Sequence, residues 1–442
     1  MDIFLYNSLS KKKEIFNSIE KNKISIYVCG PTTYDHLHIG NIRPMIVFDI
    51  LRRLLIYLKY DVTFVTNLTD IDDKIINRAF QENKSEKEIS DFYIREIKKI
   101  GDDINCLKPD FNPRVTDYIN EIINFIEKLI NNKNAYVDEN GDILFNTKSV
   151  KNYGELSNIK IDKLKNNSRK ILIKKNNFDF ILWKKTTTGI QWDSPWGKGR
   201  PGWHTECCVM INEIFKNKMI DIHGGGFDLK FPHHENEIAQ NKALYNNKLA
   251  NYWVHNGFVM FENNKMSKSL KNIVLAKDLI GRYGCNVVRL LMMKTHYRSP
   301  LLFSEKKIIT LKKEMKKITD FYNRLAIFLQ RNNIDLKKKI KVDINDFLCF
   351  LSDDLNISLS FSYLFDLMKS IDINIKKINL DECLNIFKKM EDIFYILGLK
   401  IDHHILTNDE RKMINDFNDA RKNKDFDKSD AIRKKLLEKG LL

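Results

Sequence analysis

His233 and Glu237 stand four residues apart in "PHHENEIAQNKAL", a stretch that reads as helix. At that spacing both side chains share one helical face, where an imidazole and a carboxylate can reach a single ion. Two ligands leave a transition metal short of its shell. Cys29, closing the strand-like run "ISIYVC", and Cys207, in "GWHTECC", would complete a Cys₂HisGlu set on sheet ends and the helix. A tetrahedral zinc with two thiolates is chemically sound, with sulfurs about 2.3 Å from the ion. Yet separations this long are not a metal motif. On spacing alone, two unrelated buried thiols beside a surface helix are the better account.

Phosphate chemistry has two candidate stretches. In "HIGN" at 38 to 41, Gly40 lets a nucleotide lie close to the chain at a helix N-terminus, and His38 offers a donor to phosphate. Taken alone, the four residues read as a strand-to-helix turn with Asn41 as N-cap. In "KMSKS" at 265 to 269, Lys265 and Lys268 flank small and flexible residues, so they can close over a triphosphate and neutralise a departing pyrophosphate. A single K-x-x-K in a Lys-rich chain is ordinarily solvated surface. The order and distance of the two stretches, on either side of one α/β sheet, argue for chemistry.

The elements that must position these residues follow from periodicity. Ile24 to Cys29 reads as a strand, the run from Ile42 as a helix with Pro44 in its first turn, and "VTFVTN" at 62 to 67 as a second strand. Strand, turn, helix, strand opens a parallel α/β sheet. Long amphipathic helices are expected from about Ile71 to Ile100 and from about Val115 to Asn131, then a hairpin at 136 to 146. Residues 147 to 200, Lys- and Asn-rich and then Trp-rich, read as an inserted connecting segment of poor periodicity. The α/β alternation resumes from 219, and from about Ser304 the pattern is helical to the end.

The 442 residues suffice for two or three domains. Seven scattered cysteines are expected to be reduced thiols, and no apolar run reaches the ~18 residues of a spanning helix. With charge placed after the first short apolar patch, the N-terminus is not a secretory signal, and a cytoplasmic location is expected. The 74 basic and 58 acidic residues give a net charge of +16, which favours a polyanionic partner without naming it.

The stretches "YVCGPTTYDHLHIGN", "NLTDIDDKI", "SPWGKGRPGWHTEC", "DIHGGGFDLKFPHHENEIAQ", "KMSKSLKN", "HYRSPLLFS" and "ARKNKDFDKSDAIRKKL" run from the first strand almost to the C-terminus. Together they resemble the class I aminoacyl-tRNA synthetases, and within them the cysteinyl-tRNA synthetases. The resemblance implies a Rossmann-like parallel-sheet catalytic domain (1–125 and 201–303) split by an insertion (126–200). A stem-contact helical segment (304–335) and an all-α anticodon-binding region (336–442) would follow. It implies zinc on Cys29, Cys207, His233 and Glu237, one ion per chain, with the substrate thiolate as a further ligand. Cys208 is off the matching position, and its side chain points about 100° away from that of Cys207 on a helix.

By the same resemblance, Thr69, Trp203 and His223 would line the amino-acid pocket. Gly30, Pro31, Thr32, His38, Gly40 and Asn41 of the signature turn, with Lys268, would hold ATP, which Mg²⁺ accompanies, and His38, Asn41, Lys265 and Lys268 would be the catalytic residues. Gly225, Asp228 and the backbone at Val259 would contact adenosine. The partners implied are L-cysteine, ATP and a cysteine tRNA, for a chain expected to be a monomer without a membrane. The signature ends in His where this chain has Asn41, which keeps an NH₂ donor but carries no charge, so weakened activation is expected. Family members commonly continue past the position of Leu442 with a short basic tail, so anticodon reading is expected to be weaker or differently built here. Two rivals are a cysteine ligase acting on an amino sugar with the same core, and a non-catalytic RNA-binding descendant.

Overall fold

An antiparallel pair, β1 (Phe4–Asn7) and β2 (Lys12–Ile15), leads into β3 (Lys23–Val28). Ile24, Ile26, Tyr27 and Val28 are buried, so β3 is apolar on both faces, as a parallel strand covered by helices must be. The computed structural model describes residues 1–159, 176–261, 264–265, 273–375 and 379–441; Lys268 and most of the "KMSKS" stretch lie outside them.

The turn after β3 enters α1 (Ile39–Tyr57), capped by His38 and not by Asn41. The helix therefore starts earlier than its apolar periodicity indicates, and Pro44 is its sixth residue instead of lying in the first turn. Pro44 has no N–H to donate, which releases the carbonyl of Gly40 from the helical ladder. Next come β4 (Asp61–Thr66), α2 (Asp73–Glu82) and α3 (Glu86–Asp103). The single helix expected over 71 to 100 is thus two. Asn83 takes the left-handed conformation (φ 50°), and Ser85 restarts the helix with a capping box to Glu88.

After α4 (Ile119–Asn131), the expected hairpin is β5 (Ala135–Val137) and β6 (Ile143–Phe145). It is joined by β7 (Phe180–Lys185) and β8 (Gly199–Pro201) in an antiparallel sheet ordered β5-β6-β7-β8. The segment read as irregular thus contributes two strands. The chain then forms α5 (Thr205–Ile214), β9 (Ile220–Gly226), α6 (His233–Tyr245) and β10 (Ala250–Asn256).

The central sheet is parallel, ordered β10-β9-β3-β4. The chain leaves β3 toward β4 and leaves β9 toward β10, in opposite directions across the sheet. The crevice beyond the carboxyl ends of β3 and β9 is therefore a topological switch point, where open α/β sheets bind ligands. A small sheet of β11 (Val259–Phe261), β12 (Asn264–Lys265) and, after α7 (Ala276–Tyr283) and α8 (Cys285–Met293), β13 (Leu301–Phe303) extends one wall of that crevice.

The rest of the described chain is helical: α9 (Glu305–Arg331), α10 (Asn345–Ser352), α11 (Ile357–Ile375), α12 (Leu380–Leu397), α13 (Asn408–Lys422) and α14 (Phe426–Glu438). Its first part shares a continuous core with α1 and α8. Buried Asp49 accepts from Arg53 Nε (2.9 Å) and Arg289 Nη2 (2.7 Å), and the same guanidinium groups donate to the carbonyls of Tyr395 and Leu397 at the end of α12. Two cations on one carboxylate, each satisfied further by backbone oxygens, keep the charges at this junction compensated. Among the described residues no helix is long and apolar enough to cross a membrane.

Candidate metal centre and adjoining cavity

Cys29 leaves β3 with its N–H donated to Gly224 O of β9 (3.1 Å), so its side chain projects at the switch point. Cys207 lies in the first turn of α5, where the helix N-terminus favours a thiolate. His233 and Glu237 come from the first two turns of α6. One ligand atom from each of the four lies within 4.8 Å of all the others, and all four residues are buried. The sulfurs are 3.5 Å apart, Glu237 Oε1 is 3.6 Å from Cys29 Sγ, and His233 Nε2 is 3.1 Å from the same Oε1. Two sulfurs on a tetrahedral zinc would stand roughly 3.7 Å apart, so the spacing fits such an ion.

The protonation chemistry fits as well. Burial, reinforced by neighbouring Cys207 and Glu237, pushes the Cys29 thiol well above its ordinary value, and burial also raises Cys207. A bound cation inverts that preference, because a coordinating thiol is deprotonated outright. Burial lowers His233 to about 3, so its imidazole is neutral, the form that ligates metals. Its Nδ1 faces His204 Nδ1 at 3.2 Å, leaving Nε2 for the cluster.

Cys29, His223, His234 and Glu237 satisfy the same distance criterion. That set has one thiol, and His223 Nε2 is engaged by Glu237 Oε2 at 2.7 Å. Cys29, Cys207 and His233 line the adjoining cavity, whereas His223 and His234 are not among its lining residues. The first set thus has three of its members on the cavity wall, the second only Cys29. Cys208 is turned away, its Sγ 3.7 Å from the backbone oxygen of Glu237.

The cavity, of about 710 Å³, extends from this cluster along the signature turn, and Gly30, Pro31, Thr32, His38, Gly40 and Asn41 line it. Gly30 allows the close approach of β3 and β4, since a Cβ there would lie 1.8 Å from Asn67 O. His38 Nδ1 accepts from Gly40 N (3.1 Å), which places the proton of the neutral ring on Nε2. Asn41 Oδ1 accepts from His38 N (3.0 Å), closing a capping box and leaving Nδ2 as the donor of that side chain. The residues after the "KMSKS" stretch lie directly over this turn, with Ile39 N donating to Val274 O (3.0 Å) and Ala276 N to Leu37 O (2.8 Å). Lys265 enters the small sheet opposite Met260.

Thr69, Trp203, Asp228 and Val259 also reach the cavity wall. Trp203 stacks on His233, with ring centroids 4.6 Å apart. His223 is fully buried behind Glu237 and stacked on Trp253 at 4.4 Å, so it supports the Glu237 carboxylate from behind. Gly225 packs against His234 and Leu229, where a Cβ would sit 3.0 Å from each. Sequence reasoning missed two residues here. Asn67 holds Gly30 N through Oδ1 (2.8 Å), and buried Glu206 sits 3.2 Å from Thr69 Oγ1 with its carboxyl pushed well above the usual range by burial. Neither has a spacing signal; Glu206 is visible only as the neighbour of Cys207.

The family of class I (C) tRNA synthetase catalytic domains matches residues 15–313. A cysteine–tRNA ligase of Malacoplasma penetrans is 43% identical over 448 residues, covering 99% of this chain and 100% of that protein. The cysteine–tRNA ligase of Acholeplasma laidlawii is 41% identical over 440 residues, covering 99% of each. Among solved structures, a methionyl-tRNA synthetase of Mycobacterium tuberculosis bound by methionyl-adenylate shares the fold at a TM-score of 0.60 and 12% identity, covering 85% of this chain and 88% of that one. With a sheet whose switch point carries the signature turn, and relatives matched from end to end, the chain belongs to the class I aminoacyl-tRNA synthetases, in the family of the cysteine–tRNA ligases.

Proposed function

We propose that this chain activates L-cysteine with ATP and transfers it to the 3′ end of a cysteine tRNA, and that zinc on Cys29, Cys207, His233 and Glu237 selects the thiol. The observation that carries this reading is the meeting of those four side chains at one end of a cavity whose wall is the signature turn. When bound, zinc supplies a soft Lewis acid that prefers a thiolate to a hydroxyl.

The chain's own residues do the rest. In the first step a carboxylate oxygen of cysteine attacks the α-phosphorus of ATP, the bond to the β-phosphate bridge breaks, and pyrophosphate leaves with Mg²⁺. In the second, the terminal hydroxyl of tRNA attacks the carbonyl carbon of the adenylate, the bond from that carbon to the phosphate oxygen breaks, and AMP leaves while the hydroxyl proton passes to the released phosphate or to water. No side chain is a nucleophile, so catalysis is positioning and electrostatics. Gly40, without a side chain, leaves room for phosphate beside the N-terminus of α1, while His38 Nε2 and Asn41 Nδ2 donate to it. Lys265 and Lys268 take up charge on the leaving pyrophosphate. Thr69 and Trp203 close the amino-acid end, with His223 bracing Glu237.

Cysteine-dependent exchange of pyrophosphate into ATP, measured together with zinc content, tests the reading. About one zinc per chain and exchange driven by cysteine are expected; neither with fully folded protein would sink it. Charging of purified cysteine tRNA then separates transfer to tRNA from transfer to an amino sugar. A finer test concerns Asn41. Asn41→Asp keeps the acceptor for His38 N but sets a negative charge against the triphosphate. Its kcat/KM for ATP in the exchange assay is expected to fall at least about 10-fold, with the melting temperature held within about 2 °C.

A further inference from the structure

The first turns of α6 are largely polar and buried: His233, His234, Glu235, Asn236, Glu237, Gln240 and Asn241 are each at most 2% exposed. A helix ordinarily takes its rotation about its own axis from an apolar stripe. Here hydrogen bonds must set much of that rotation. Residues two apart on a helix point about 200° apart, so Glu235 faces away from the side that bears His233 and Glu237.

On that far side the Glu235 carboxylate accepts from Ser157 N (2.7 Å), Gly154 N (3.0 Å) and, at longer range, Leu156 N (3.4 Å). Next to it, Tyr153 OH donates to Asn236 Oδ1 (2.6 Å). The turn holding these donors has a shape of its own. Gly154 adopts φ +96°, where a Cβ would lie 2.6 Å from Ile159 O, and Leu156 is fully buried beneath it. A carboxylate gripping three backbone amides of a preset turn is a stiff joint.

We propose that Glu235 is a positioning residue for the metal centre: by locking α6 against the 153–157 turn, it sets where His233 and Glu237 meet Cys29 and Cys207. This rests on the zinc reading above. The leverage is geometric. A 10° roll of α6 moves an atom 5–6 Å from its axis by about 1 Å, several times the ±0.2 Å or so that metal–ligand distances tolerate. The insertion carrying residues 153–157 would thereby hold part of the metal centre from outside the central sheet.

The test compares wild type, Glu235→Gln and Tyr153→Phe as full-length, zinc-loaded proteins challenged with the chromogenic chelator 4-(2-pyridylazo)resorcinol. Gln presents an NH₂ to backbone amides that need an acceptor. Glu235→Gln is therefore expected to release zinc about 10–100-fold faster and to raise the KM for cysteine by a comparable factor, with the KM for ATP within about 2-fold of wild type. Tyr153→Phe should move both quantities the same way by less, and it decides the matter alone if Glu235→Gln does not fold. Wild-type zinc release and cysteine KM in the folded variants, even with a lowered melting temperature, overturn the proposal and leave the zinc reading standing. A wild-type protein that holds no zinc overturns both.

Discussion

Cys207→Ser is expected to lose zinc and cysteine affinity together. Serine is nearly isosteric and keeps the α5 backbone, so the fold has little reason to change. A hydroxyl, however, is a poor zinc ligand beside a thiolate. Loss of a supporting contact alone costs about 10–100-fold in metal affinity, and loss of a ligand should exceed that. The variant, purified and dialysed, is expected to hold far less than one zinc per chain and to show a cysteine KM raised by at least the same factor. Selectivity should fall with it. A pocket reading shape alone separates isosteres by only ~10², so the cysteine-to-serine preference in pyrophosphate exchange should drop toward that figure. Full zinc with an unchanged cysteine KM would count decisively against the assigned ligand set. Cys208→Ser is the control: its sulfur faces Glu237 O instead of the cluster, so zinc content should stay at the wild-type level.

How much of this was legible beforehand depends on where each residue's partners lie. The parallel sheet was readable because "ISIYVC" and "VTFVTN" are short apolar runs separated by a helical repeat, a local pattern. The meeting of Cys29, Cys207, His233 and Glu237 was readable only through family resemblance, since Cys29 and Cys207 are 178 residues apart and come together from the end of β3 and the first turn of α5. α6 illustrates the opposite failure. Its string of His, Glu and Asn reads as a surface helix, yet it is buried because the partners of Glu235 and Asn236 come from a turn about eighty residues earlier. Likewise β7 takes its identity from pairing with the 135–145 hairpin and β8 from pairing with β7, and short strands of that kind carry little periodicity of their own. The helix start was misread at Asn41 because Asn is the better N-cap by type, whereas here the imidazole of His38 accepts from Gly40 N and Asn41 answers from the third helical position.

Beside that capping role His38 has the one proposed for it toward ATP, and the last expected result separates the two. His38→Ala removes both the cap, costing about 1 kcal/mol, and the Nε2 donor proposed to act on the phosphates. In a protein this large the lost cap lowers the melting temperature by no more than about 2–4 °C. Losing a donor that acts on developing charge costs about 10²–10³ in kcat, so cysteine-dependent pyrophosphate exchange should fall by that factor while zinc content is unchanged. His38→Asn is the discriminating variant. Asn is a strong N-cap and should return the melting temperature to that of wild type, but its short amide cannot place a donor where Nε2 stands. Stability restored with kcat still about 10²-fold down would assign His38 to the charge on the phosphates. Recovery of kcat along with stability would assign it to the cap alone, and the proposed electrostatic role would then pass to Asn41 Nδ2 and the lysines of the "KMSKS" stretch.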